Sequence, residues 1–148
     1  MTKLYSELAF EIANEKGLLG QRLHLDSTSF VMYGNYEDAD SSPLPTYGYS
    51  KEKRTDLKQV MLSLIQGGEA NLPLWMEALD GNSSDKKSFH ETVSKVKELM
   101  NGLKGAPDNL CFVVDSAFYD IKKLAELDAV HWITRVPATV KDAQEWEF

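Results

Sequence analysis

Two aspartates define the chemistry open to this sequence. Asp26 interrupts Leu23-His24-Leu25-Asp26-Ser27-Thr28-Ser29-Phe30-Val31, a run with the alternation and the β-branched and aromatic content of a buried strand, bounded by Gly20 and Gly34. Asp115 closes the apolar run Leu110-Cys111-Phe112-Val113-Val114. A carboxylate carried into a sheet recovers its lost solvation only from a cation or from strong donors. Two of them on neighbouring strands, about 4.8 Å apart, repel one another unless a cation lies between them. Hard divalent ions, Mg²⁺ or Mn²⁺, accept such oxygen ligands and keep waters for a phosphate-bearing substrate. Two such ions would stabilise the attacking and leaving oxygens of an in-line phosphoryl transfer. Taken alone, each aspartate has a plain alternative as a turn or cap residue, and that alternative is weaker for Asp26, inside its strand. The metal reading therefore needs the two strands to be adjacent.

The elements that would position them can be read in order. Residues 4–16 carry Leu4, Leu8 and Ile12 on one helical stripe, and Gly17 stops the helix. A first strand follows over roughly 22–33. Residues 34–56 are rich in turn formers, begin acidic (Glu37, Asp38, Asp40) and end basic (Lys51, Lys53, Arg54). A hairpin then places Val60, Leu62 and Leu64 on one face over 57–66, turns at Gly67-Gly68-Glu69-Ala70, and returns through Leu72, Leu74, Met76 and Ala78. Pro73 assigns that returning strand to a sheet edge. Beyond the loop Asp80 to Asp85, Ser88 and Glu91 match a capping box, and Phe89, Val93, Val96, Met100 and Leu103 form the apolar stripe of the helix behind it. A strand at 110–114, a helix at about 118–127 and a strand at 130–136 complete the order; residues 138–148 start a further polar helix or fray.

Short turns make the first three strands antiparallel, and helical crossovers make the last two parallel to a neighbour. With the Asp115 strand beside the Asp26 strand, this is the ribonuclease-H-like order. The fold class expected is α/β, a mixed five-stranded sheet with flanking helices, in one domain over residues 1–148 that is incomplete at its C-terminal side. That connectivity sends the 34–56 loop, the 80–88 loop and the start of the capped helix to the Asp115 end of the sheet. Ligands favour that end of parallel strands at a switch of direction. Lys51, Lys53, Arg54 and, just beyond, Lys58 are candidates for placing phosphates over the metal site there, although a solvated loop needs no such explanation. Asp85 and Asn82 are possible accessory ligands or phosphate positioners, with the alternative that Asp85 simply favours the helix macrodipole.

Composition narrows the classes. The chain has 148 residues, 43% hydrophobic, enough for one sizeable core. Its 16 Lys and Arg against 23 Asp and Glu leave a net charge of −7, which argues against a general electrostatic DNA-binding surface while permitting a local basic patch. The single Cys111 reads as a small core residue. His24, His90 and His131 share no metal spacing, and Trp75, Trp132 and Trp146 read as core or edge aromatics. No secretory pattern and no long apolar run is visible, so a cytoplasmic protein without a membrane span is expected. A nucleotide-binding α/β domain is disfavoured because neither a G-x-G-x-x-G nor a Walker loop occurs.

Several segments, taken together, resemble bacterial insertion-sequence DDE transposases, in the branch with a β-rich insertion before the catalytic glutamate. They are Leu23 to Phe30, Tyr47-Gly48-Tyr49-Ser50-Lys51 through Gln59, Ala78 to Asp85, Val113-Val114-Asp115-Ser116-Ala117, and Trp132-Ile133-Thr134-Arg135-Val136-Pro137. The resemblance covers about residues 20 to 145. It implies that Asp26 and Asp115 are the first two catalytic, metal-binding acids, that Mg²⁺ or Mn²⁺ (two ions in the complete enzyme) is the cofactor, and that the partners are transposon-end and target DNA. The reaction implied is metal-dependent nicking by water, then attack of the freed 3′-hydroxyl on target DNA. The family's third ligand, a glutamate on a later helix, is expected past residue 148, because Glu145 and Glu147 follow Pro137 too closely. A piece of a catalytic core, inactive alone, is the expectation. The alternative is a non-enzymatic truncated transposase that self-associates or inhibits full-length copies.

Overall fold

A computed structural model describes residues 2–38, 40–48, 53–68, 70–83, 85–104, 106–107, 109–119 and 131–140, with the side chains of 85–88 and 90 excepted. Its elements run α1 (Thr2–Glu15), β1 (Arg22–Met32), β2 (Lys58–Gly67), β3 (Leu72–Asp80), α2 (Asp85–Asn101), β4 (Cys111–Val114), a 3-10 turn (Ser116–Phe118) and β5 (His131–Thr134). The strands form one sheet in the order β3-β2-β1-β4-β5. The β1–β2 and β2–β3 pairs are antiparallel, while β4 lies parallel to β1 and β5 parallel to β4. That is the order predicted from the turns and crossovers. Of the helix expected at about 118–127, only Phe118, the end of the 3-10 turn, and the extended Tyr119 are described; residues 120–130, and the 141–148 segment with Glu145 and Glu147, lie outside the described residues.

Both described helices pack on one face of the sheet. Leu23 and Leu25 of β1, Ile65 of β2, and Phe112 and Val114 of β4 meet Phe10 and Ala13 of α1 and Phe89, Val93, Val96 and Met100 of α2 in one cluster. The predicted stripe of α2 is thus the buried one, with Leu103 half-buried against the cluster. Each fully buried Phe or Leu in such a cluster contributes about 1.5–3 kcal/mol.

Three local expectations are corrected. In α1 the buried residues are Ser6, Phe10 and Ala13, whereas Leu4, Leu8 and Ile12 face solvent. Small residues let the helix backbone approach the sheet closely, with Phe10 as the one large side chain, and this outweighs the bulk of the aliphatic stripe. In β2 the buried face carries Gln59, Met61, Ser63 and Ile65, and Val60, Leu62 and Leu64 are only half-buried on the other. Val60, Leu62 and Leu64 do share one face, as their alternation says, but alternation does not say which face the helices cover. Finally, α2 begins at Asp85, so Ser88 and Glu91 lie within the helix and form no cap.

Two further signals hold. Gly17 ends α1 with φ +65°; Leu18 N–H donates to Ala13 O (2.8 Å) and Gly17 N–H to Asn14 O (3.1 Å), the paired bonds of a glycine-terminated helix. Pro73 sits on the edge strand β3, its carbonyl accepting from the Tyr5 hydroxyl at 2.7 Å. A register shift beside Ile65 and Gln66 turns the successive residues Leu74 and Trp75 both inward. No helix among the described residues is long and apolar enough to cross a membrane.

Candidate metal centre

The register of β1 and β4 brings the two aspartates together. Leu25 pairs with Val114 in parallel register, and both are buried. One residue further, Asp26 and Asp115 stand opposite each other, both exposed. The backbone of Asp115 is still extended (φ −71°, ψ 160°), so the pleat continues through it and both carboxylates belong to the face away from α1 and α2. Asp26 is therefore not a buried strand carboxylate, as its run of neighbours implied. Leu23, Leu25 and Ser27 take the buried side, and Asp26 points the other way beside Leu64 of β2. Adjacency of the strands is present; desolvation of Asp26 is not.

Neighbouring residues hold Asp115 in place. Its Oδ1 accepts from the Ser116 backbone N–H and from Ser116 Oγ, the first of these capping the 3-10 turn. That turn is anchored by Phe118, whose ring lies 5.5 Å from that of Phe89 on α2 at 54°. From the other side, Thr134 Oγ1 donates to the Asp115 carbonyl at 3.1 Å. On Asp26, Oδ1 accepts from the Ser27 N–H at 2.8 Å.

The same register brings in a residue that motif reading passed over. Val114 pairs with Thr134, so Arg135 follows opposite Asp115. Its Nη2 donates to Ser116 Oγ at 3.3 Å. Asp26, Asp115 and Arg135 thus occupy one row across β1, β4 and β5. No sequence signal marks it: Arg135 lies inside the stretch 130–136 that reads as the last strand, and its place opposite Asp115 follows from register alone.

The other predicted residues lie at the same end of the sheet but at other levels. Lys58 opens β2 and pairs with Met32, six positions along from Leu64, the partner of Asp26. At strand rise that is about 20 Å from the aspartate row. Lys53 is exposed, with φ 57°, and Arg54 is engaged by Asp56 through two contacts, Nε to Oδ1 at 2.8 Å and Nη2 to Oδ2 at 2.6 Å. This pairing raises the Arg54 pKa and lowers that of Asp56 to about 2. Lys51 lies outside the described residues. Asn82 is exposed in the turn after β3, whose last residue, Asp80, pairs with Val60, about 13 Å along β2 from Leu64. Asp85 is the first residue of α2, where a negative charge favours the macrodipole; its side chain is outside the described set.

Part of the long 34–56 loop is built as a strap over the ends of β2 and β3. Thr46 and Gln59 bridge through reciprocal backbone bonds of 3.0 and 2.9 Å. Asp80 Oδ1 accepts from the Leu44 N–H and the Ser42 hydroxyl, each at 2.7 Å, and the Gly81 N–H returns to Leu44 O at 3.1 Å. Those two donors, the Leu44 amide first, hold the Asp80 carboxyl below its ordinary range against a smaller opposing effect of burial. Gly81 is required by close approach, since a Cβ there would collide with the Gln59 and Thr46 carbonyls.

The donor set offered by Asp26 and Asp115 is two hard oxygens, suited to a divalent ion whose remaining positions are filled by water and phosphate. Among the described residues no group of three His, Cys, Asp or Glu is placed to hold a metal. No protein-family model matches this sequence, and no curated protein matches it. Among solved structures, the chain is similar to the piggyBac transposase in its synaptic complex with hairpin DNA, at 14% identity and a TM-score of 0.51, over 84% of this chain and 24% of that one. The Mos1 transposase in a paired-end complex with the left transposon end aligns at 12% identity and a TM-score of 0.45, over 93% of this chain and 41% of that one. The chain thus spans about a quarter and two fifths of those proteins. With the piggyBac likeness beside the strand order, the fold is an α/β, ribonuclease-H-like mixed five-stranded sheet.

Proposed function

We propose that this chain is part of a DNA transposase catalytic core of the DDE type, related to the bacterial insertion-sequence enzymes that its motifs resemble, and that residues 1–148 belong to one such domain. Asp26 and Asp115 are its first two metal-ligating acids. The observation that carries this reading is their opposition across parallel β1 and β4, on the exposed face of a ribonuclease-H-like sheet. A hard divalent ion, Mg²⁺ or Mn²⁺, bound there would supply Lewis-acid stabilisation of the attacking and leaving oxygens in phosphoryl transfer.

The chain's own residues divide the remaining work. Asp26 and Asp115 fix the ion's position on two rigid strands. Ser116, Thr134 and the Phe118 anchor hold the Asp115 backbone and carboxylate oriented before any ligand arrives. Arg135 puts a fixed cation on the row, where a DNA phosphate would be drawn toward the carboxylate pair. Lys58, about 20 Å away along the β1–β2 ribbon, and Lys53 and Arg54 in the loop that leads into it would hold duplex beyond the reacting bond.

A manganese titration followed by electron paramagnetic resonance tests the assignment on the purified chain. Wild type should retain Mn²⁺, and Asp26→Asn and Asp115→Asn should each weaken retention about tenfold or more. Equal retention by all three proteins would remove the metal assignment.

A further inference from the structure

The seam between α1 and α2, on the opposite side of the sheet from the aspartate row, carries features that metal chemistry does not use. Leu4, Leu8 and Ile12 recur every fourth residue along α1 and are 72%, 55% and 47% exposed. Beside Leu4 and Leu8, a depression of about 350 Å³ reaches Leu99 of α2 and Leu103 just past its end. Through Glu7, Leu99 and Gly102 it continues into a second cavity of about 470 Å³ against β3. Trp75 lines that cavity, 6% exposed, with its indole N–H unpartnered. Glu77 lines it too: Lys95 Nζ donates to its Oε1, while its buried Oε2 has no partner.

Charge along the seam is one-sided. Glu7, Glu11, Glu77 and Glu98 oppose only Lys3 and Lys95. Both lysines are already committed, Lys95 to Glu77 and Lys3 to Glu7 at 3.8 Å, and Glu11 and Glu98 have no ion-pair partner among the described residues. Buried donors and acceptors in folded proteins are nearly always satisfied, by protein, water or ligand. A water molecule can serve Trp75 and Glu77, but it does nothing for a row of exposed aliphatic side chains. A second copy of this chain would bring the same glutamates against themselves.

We propose that this seam docks a basic amphipathic helix from a partner protein. The helix lays its apolar side along Leu4, Leu8, Leu99 and Leu103, a helix-in-groove arrangement with anchors at i, i+3, i+4 and i+7. An arginine or lysine at its edge reaches into the larger cavity and donates to Glu77 Oε2. An oxygen acceptor on the same helix takes the Trp75 indole N–H, and its other cations face Glu11 and Glu98.

The probe is a fluorescein-labelled 18-residue peptide of leucine, alanine and arginine with that spacing, compared with a version bearing glutamate in place of arginine. Fluorescence polarisation against the purified chain should give micromolar binding of the basic peptide, on the order of −8 kcal/mol at 1 μM, and none of the acidic one. The paired change Leu4→Ser and Leu8→Ser, at exposed positions that leave the core intact, should weaken binding about tenfold or more. Glu77→Gln should flatten its salt dependence, and Ile133→Ser, exposed on β5, should change nothing. The indole N–H resonance assigned by Trp75→Phe should move on binding. Equal binding of both peptides, no binding of the basic one, or affinity indifferent to Leu4 and Leu8 would overturn the proposal. So would a dimer that disappears in the Leu4/Leu8 variant, since the seam would then belong to a second copy.

Discussion

Arg135 and Asp115 stand opposite each other across β5 and β4, one register step past the Thr134–Val114 pair, and are joined through the Ser116 hydroxyl. Nη2 of the arginine donates to Ser116 Oγ at 3.3 Å, and Ser116 Oγ donates to Asp115 Oδ1 at 3.1 Å. A cation is thereby held next to a carboxylate without being paired to it directly. It stays available to a second anion, which a bidentate arginine–carboxylate pair would not allow.

Arg135→Gln should accordingly spare the fold and weaken phosphate binding. Arg135 is exposed, so thermal stability should change by less than about 0.5 kcal/mol. If the row holds DNA, the slope of log affinity against log salt for a short duplex should fall by about 1, uniformly across sequences. Measuring duplex binding from low to moderate NaCl for wild type and variant reads that slope. An unchanged slope would separate Arg135 from the DNA path.

Phe118 should couple the core to the aspartate row. It is buried, ring to ring with Phe89, and it anchors the turn capped by Asp115. Phe118→Ala should cost about 3–5 kcal/mol; Phe118→Leu should cost less and still permit folding. In the leucine variant, Mn²⁺ retention should drop more than in a core variant of equal stability placed away from the turn, such as Val96→Ala. Matched losses in the two would mean that the turn does not orient Asp115.

Asp80 should make the strap acid-sensitive. Its folded pKa lies below the ordinary 3.8 because the Leu44 amide and the Ser42 hydroxyl donate to the ionised form. In the window between the two values the unfolded chain binds more protons, so stability rises with pH there. The contribution is complete above the unfolded value and is lost as pH falls through the folded one. Asp80→Asn keeps an acceptor for both donors and should cost about 1 kcal/mol at pH 7. Its distinguishing effect is a shallower loss of stability on acidification than wild type, seen in denaturant melts at pH 7 and pH 3.

Strand order was legible because turn lengths and crossovers determine it, and the helix stripe from Phe89 to Met100 because its period is unambiguous. Faces were harder. In α1 the eye follows Leu4, Leu8 and Ile12, yet the helix approaches the sheet through Ser6 and Ala13, and size alone cannot reveal that choice. In β2 the more apolar face, Val60, Leu62 and Leu64, is the half-buried one, and the position of the helices selects Met61 and Ile65, with Gln59 and Ser63 between them, for burial. Loop connectivity shows which end of the sheet a segment reaches but not at what level: β1 and β2 run about 20 Å beyond Asp26, which separates Lys58 from the aspartates. Arg135 was missed because its meaning comes from register, and register appears only once β5 is laid beside β4.

The Arg54–Asp56 pair should show how much of the basic run is free to meet DNA. Both side chains are well exposed, yet the two-point contact lowers the Asp56 pKa from 3.8 to about 2. The carboxyl resonance of Asp56 should therefore titrate near pH 2 in low salt. It should shift upward toward the ordinary value in Arg54→Gln, and partly so as salt screens the pair. Thermal stability should hardly register the loss, since solvent-exposed ion pairs contribute little. The sharper consequence concerns phosphate. A DNA backbone recruiting Arg54 must displace Asp56, so Asp56→Asn should strengthen duplex binding at low salt, with the gain disappearing as ionic strength rises. If Asp56→Asn leaves binding unaltered at every salt concentration while Lys58→Ala weakens it, Arg54 belongs to the loop's own structure and Lys58 alone extends toward the nucleic acid.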